Sequence, residues 1–149
     1  MTPAPSPESF VAQVIRYDTR QAGGQPVYKI ATTVVPVVAG VPGPRMGVQI
    51  DTASDPQLVL DKAKADALGL TLGPAVAVQG VSGAAARTWL ASLDLQFGDI
   101  PERFPVRVLV IDLPAGKERR LLGLSALHPA FDFVKAGDVV TFTRVHPPG

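Results

Sequence analysis

The chain has 149 residues, 46% of them hydrophobic, enough for one domain with its own core and too few for two comfortable ones. Lys and Arg number 14 against 13 Asp and Glu, and a net charge of +1 supplies no broad field for phosphate backbones or anionic lipid, so neither nucleic acid nor membrane is an expected partner. The absence of cysteine excludes disulfides, thiolate nucleophiles and thiolate metal sites, and it suits a reducing interior, so a cytoplasmic location is expected.

Residues 1–9 carry Pro3, Pro5 and Pro7 among small polar residues, a composition that buries too little surface to offset ordering entropy; a flexible tail is expected. This stretch lacks both the basic start and the apolar run of a leader, and no segment approaches the roughly 20 apolar residues of a membrane span. Residues 10–17 alternate weakly between apolar and polar, and Gly23-Gly24 then marks a hairpin turn. Residues 27–38 are dense in β-branched side chains and predict a strand. Gly40, Pro42, Gly43 and Pro44 punctuate the chain before an apolar strand at 46–50, which runs straight into Asp51-Thr52-Ala53-Ser54.

After Pro56 comes the apolar run Leu58-Val59-Leu60, then the one convincing helix, with Asp61 as its cap, alanines in its interior and Gly69 past its end. Strands are expected at 75–81 and 87–97, flanking the small-residue tip Ser82-Gly83-Ala84-Ala85-Ala86. A turn at 98–101 leads to a strand at 104–111, in which Val106, Val108 and Val110 alternate with Arg107 and Leu109. Leu113-Pro114-Ala115-Gly116 breaks that strand. Leu121-Leu122-Gly123 follows, about 70 residues after Asp51, as a buried strand meeting a tight turn. A helical turn or two, a last strand at 139–143 and a flexible end at 146–149 complete a mostly β chain without a repeat of fixed period.

The order of these parts resembles the retropepsin-like aspartic proteases. That pattern is an apolar strand, Asp-Thr/Ser-Gly-Ala/Ser, a short helix, a flap hairpin and two apolar residues with Gly. Here it falls on Ile50, Asp51-Thr52-Ala53-Ser54, Leu58-Val59, the helix to Gly69-Leu70, the hairpin tip from Gly80 to Ala86, and Leu121-Leu122-Gly123-Leu124. Phe131-Asp132-Phe133, Gly137-Asp138 and Val140-Thr141-Phe142 are similar to the turn and closing strand of many cellular members. The resemblance implies a retropepsin-like acid protease fold over residues 10–145, one lobe per chain with one short helix.

By the same resemblance Asp51 is the catalytic carboxylate, supported by Thr52, Ala53 and Ser54, while Val81, Ser82 and Gly83 form a substrate-covering flap. Such chemistry needs two carboxylates sharing one proton. The other strand-end acid, Asp112, is followed by Leu113-Pro114 rather than a small hydroxyl residue, and the chain is too short for a second lobe. A homodimer acting on an extended peptide or protein is therefore implied, with no cofactor and no metal. Val48, Val81 and Leu122 are candidates for side-chain pockets but read first as core.

Two departures keep a second function open. Ala53 stands where the family has Gly, and Ser125 follows Leu124 where many cellular members have Asp. A non-catalytic homodimer that binds extended peptides by strand addition is the alternative, and a plain all-β structural domain is a third. His128 and His146 lie in Pro-flanked segments with no matching ligand at metal spacing and read as exposed loop residues. Asp61, Lys62, Lys64 and Asp66 predict a solvated helical face, Glu118-Arg119-Arg120 a surface cluster able to join dimer contacts, and Trp89 a packing residue. No Gly-x-Ser-x-Gly or oriented histidine accompanies any serine, so a serine hydrolase has no support.

Overall fold

Period-two patterning sets the architecture. The computed structural model describes residues 8–17, 27–51, 56–79, 85–128 and 130–145. Within them run β1 (Ser9–Tyr17), β2 (Val27–Val38), β3 (Val41–Pro42), β4 (Met46–Asp51), β5 (Leu58–Asp61), α1 (Lys62–Leu68), β6 (Ala75–Gln79) and β7 (Ala85–Phe97). They continue with β8 (Phe104–Ile111), β9 (Arg120–Gly123), a 3-10 turn (Leu124–Ala126), β10 (Phe131–Ala136) and β11 (Val139–Arg144). In β8, Phe104, Val106, Val108 and Val110 are buried while Pro105 and Arg107 face solvent, as alternation requires. The helical turns expected after Gly123 reduce to one 3-10 turn. No helix among the described residues is long and apolar enough to cross a membrane.

The sheet order is β10-β11-β1-β2-β4-β9-β5-β8-β7-β6, with β3 attached to β2. β2 is long enough to take two neighbours along one edge: its first half pairs with β1, and Val34–Val37 pair with β7. The second pairing closes β2, β4, β9, β5, β8 and β7 into a barrel. β1, β11 and β10 extend the sheet away from it.

The chain's six phenylalanines gather where the barrel meets that extension. Phe10 stacks on Phe97 at 5.0 Å between centroids and on Phe142 at 4.9 Å, and Phe131 packs edge-on to Phe10 at 5.2 Å. Phe104 closes on Phe97 and Phe131, and the more exposed Phe133 touches Phe142. Gly98 (φ 53°) passes beneath Phe10 so closely that a Cβ there would lie 2.8 Å from the Phe10 Cβ.

The closing hairpin departs from expectation. A full strand, β10, precedes the last one, and of its residues only Phe131 is buried, so no alternation announces it. Trp89 is half-buried against the core, as a packing residue should be, with the Lys62 Nζ 5.8 Å from its ring centroid. His128 is exposed; His146 lies outside the described residues.

α1 has seven residues, too few to stand alone, and its two caps hold it. Gly69 (φ 73°) takes the left-handed position at its end. Asp61 accepts from the Lys64 N–H at 3.0 Å, as expected of the cap. It is not part of a solvated face, however: it is 3% exposed, and its other oxygen accepts from the Arg119 N–H at 3.1 Å. Lys62 and Asp66 do form an accessible pair at 2.8 Å, a hydrogen bond that raises the lysine pKa. Replacing Asp61 with Ala should cost about 2–3 kcal/mol, because a cap is lost and the Arg119 amide is orphaned together. Urea denaturation measures this; a loss below about 0.5 kcal/mol would mean water serves both donors equally well.

Candidate active site

β4 aims the candidate carboxylate. Met46, Val48 and Ile50 are buried, so the intervening Gly47, Gln49 and Asp51 take the opposite face, with Asp51 half-buried at the strand's last position. Two neighbours hold this strand. On one side it runs antiparallel to β2, with Ile30 opposite Ile50; on the other it runs parallel to β9, with Gln49 opposite Leu121, Ile50 opposite Leu122 and Asp51 opposite Gly123.

The parallel ladder explains each residue of the Leu-Leu-Gly element. Leu122 is fully buried and packs in the core, as Val48 does. Leu121 takes the Gln49 face and lines a surface depression with Asp51. Gly123 puts no side chain beside Asp51 and donates its N–H to the Gln57 carbonyl at 2.8 Å, which ties β9 to the start of β5. Strands paired in parallel need a long crossover, and here it comprises β5, α1, β6, β7 and β8.

The depression at Asp51 measures about 410 Å³ and is lined by Lys29, Gln49, Leu121, Glu118, Arg119 and Arg120. A second of about 320 Å³ shares Lys29, Gln49, Glu118 and Arg120 and reaches Thr32 and Gly47, so the two make one groove along β2 and β4. Across β9 lies a third, of about 570 Å³, lined by Pro56, Gln57, Leu90, Arg107, Leu109 and Ser125. Lys29 and Gln49 carried no functional expectation. Gln49 was legible from its place two residues before Asp51 on the same face, but the approach of Lys29 depends on the pairing of β2 with β4.

Thr52, Ala53 and Ser54 lie outside the described residues, as do Val81, Ser82 and Gly83 of the expected flap and the turn expected at Gly23-Gly24. The stem of the flap hairpin is described: β6 and β7 pair antiparallel, from Ala75 opposite Trp89 up to Gln79 opposite Ala85. Asp112 is exposed after β8, and its N–H donates to the Arg87 carbonyl at 2.9 Å. Among the described residues no three His, Asp or Glu side chains cluster as metal ligands would.

No family model matches the chain, and no curated protein does. Among solved structures it is similar to a retropepsin-like aspartic protease from Rickettsia conorii, at 17% identity over 91% of this chain and 90% of that one, with a TM-score of 0.55. EIAV protease complexed with the inhibitor HBY-793 is 22% identical over 76% of this chain and 91% of that one, with a TM-score of 0.47. The match to the rickettsial protein takes in nearly the whole of both chains, and with its mostly β architecture, closed barrel and, among the described residues, one α-helix, this chain has a retropepsin-like fold.

Proposed function

We propose that the chain is a homodimeric aspartic endopeptidase that hydrolyses peptide bonds with a water held between two Asp51 carboxylates. The observation that carries this reading is the ladder that sets Asp51 beside Gly123 at the end of a core strand, facing an open groove in a retropepsin-like fold. One chain supplies one such acid, so the second comes from a second copy across a two-fold axis.

The two acids share a proton because neighbouring like charges resist joint ionisation. The ionised Asp51 takes a proton from the water, whose oxygen attacks the scissile carbonyl carbon, while the protonated Asp51 donates to the carbonyl oxygen. Collapse of the tetrahedral adduct returns a proton to the leaving nitrogen and breaks the C–N bond, with no covalent enzyme intermediate. In this reading the Thr52 hydroxyl braces the two loops across the axis, and Ser54 bonds the outer Asp51 oxygen. In the same reading Val81, Ser82 and Gly83 cover the substrate and exclude water.

Ala53 supports a second reading, since an added methyl where two loops meet can hold the acids apart and leave a non-catalytic dimer that binds extended peptides. Purified protein incubated with a diverse peptide library across a range of pH separates the two. The enzyme should cut, be blocked by a transition-state analogue of peptide hydrolysis, and give a bell-shaped rate profile. The acidic limb falls as both acids become protonated and the alkaline limb as both ionise. A rate that climbs steadily into alkaline pH, or binding with no cutting at any pH, would refute it.

A further inference from the structure

The groove beside Asp51 has a local excess of cationic side chains that the nearly neutral composition does not foreshadow. Lys29, Arg119 and Arg120 line it, against Glu118 and Asp51 itself. Arg119 is anchored by its backbone, since its N–H donates to Asp61 Oδ1 at 3.1 Å and its carbonyl accepts from the Asp61 N–H at 3.0 Å; its side chain stays exposed. Arg120 Nη2 meets Glu118 Oε1 at 3.4 Å, a long contact to a carboxylate that is 71% exposed. Surface pairs of this kind contribute little against water, so another carboxylate can take the place of Glu118. Arg120 Nε is buried with no hydrogen-bond partner among the described residues, so an incoming carboxylate meets this guanidinium through its Nη atoms.

We infer that this groove selects extended peptides carrying an acidic side chain over Leu121, close to the bond that is cut, with Arg119 and Arg120 reading the carboxylate. Leu121 and Gln49 both line it, directly opposite one another in the β4–β9 ladder. An acidic residue there lays its methylenes on Leu121 and its oxygens against guanidinium groups, whose planar forks match a carboxylate. A lysine in the same place meets like charge. The position relative to the cut bond rests on Asp51 being the catalytic acid; the charge preference does not.

Binding is therefore measured without cutting, on the full-length Asp51→Asn variant, by fluorescence anisotropy. The probes are fluorescein-labelled octapeptides of Ala, Val and Leu with Glu, Gln or Lys placed in turn at each of the four central positions. At one position the Glu peptide should bind about tenfold more tightly than its Gln twin, with the Lys peptide weakest, and about 0.5 M salt should erase most of the difference. Arg119→Gln should reduce the advantage, and Arg119→Gln with Arg120→Gln should abolish it while thermal melting is preserved. Equal binding of Glu and Gln twins at every position, no binding of any peptide, an advantage left undiminished by Arg119→Gln, or one that survives in the double variant would overturn the inference. The unsubstituted protein is then offered the same peptides. Cutting with no acidic preference overturns the inference while the protease reading stands; acid-selective binding with no cutting supports it while the protease reading falls.

Discussion

On the proposed protease reading, Asp51→Asn is expected to reduce peptide cleavage on the order of a thousandfold or more while the fold and the proposed dimer persist. The substitution keeps the shape of the side chain and removes its ability to take or give a proton, and in a symmetric dimer it removes both members of the pair at once. The local structure has little reason to change: β4 is held by its ladders to β2 and β9 and by the burial of Met46, Val48 and Ile50, none of which involves the carboxylate. The matched control is Asp112→Asn, which alters an exposed acid just past β8 and should leave the rate within about twofold, as distant surface changes do. Steady-state cleavage assays, sedimentation and thermal melting together decide the matter. A variant at position 51 that cuts at the original rate would remove Asp51 from the chemistry.

The second large effect is on stability. Phe97→Ala should cost about 3–5 kcal/mol, a sizeable part of the roughly 5–15 kcal/mol that holds a domain of this kind folded. Phe97 is fully buried in β7, stacks on Phe10, contacts Phe104 and Phe131, and sits opposite Val34 where β2 closes the barrel. Removing the ring leaves a cavity among aromatic neighbours pinned by their own strands, so little collapse can compensate. Urea denaturation should show a lower midpoint with an unchanged slope. A loss below about 1 kcal/mol would mean that the aromatic cluster relaxes freely and does not lock the barrel to its extension.

Local signals carried much of the fold. The helix from Lys62 to Leu68 was legible because both caps are written in adjacent residues, Asp61 and Gly69. β8 was legible because one face is buried and the other wet. β10 was not, since five of its six residues are exposed and it is held by pairing to β11 rather than by a buried face. Asp61 departs from its sequence pattern for a related reason: spacing places it on a charged helical face, and only the arrival of Arg119, 58 residues away, uses its second oxygen.

The candidate site divides the same way. The acid, its position at the end of an apolar strand and the Leu-Leu-Gly element are short-range patterns, because strand alternation acts between neighbours and fixes which side chains share a face. What those faces meet was decided only by folding. The alignment of Asp51 with Gly123, the approach of Lys29 and Arg120 to one groove and the gathering of six phenylalanines all depend on pairings between distant strands. Strand partners and register follow from burying every apolar face at once, a condition on the whole chain that no single segment contains.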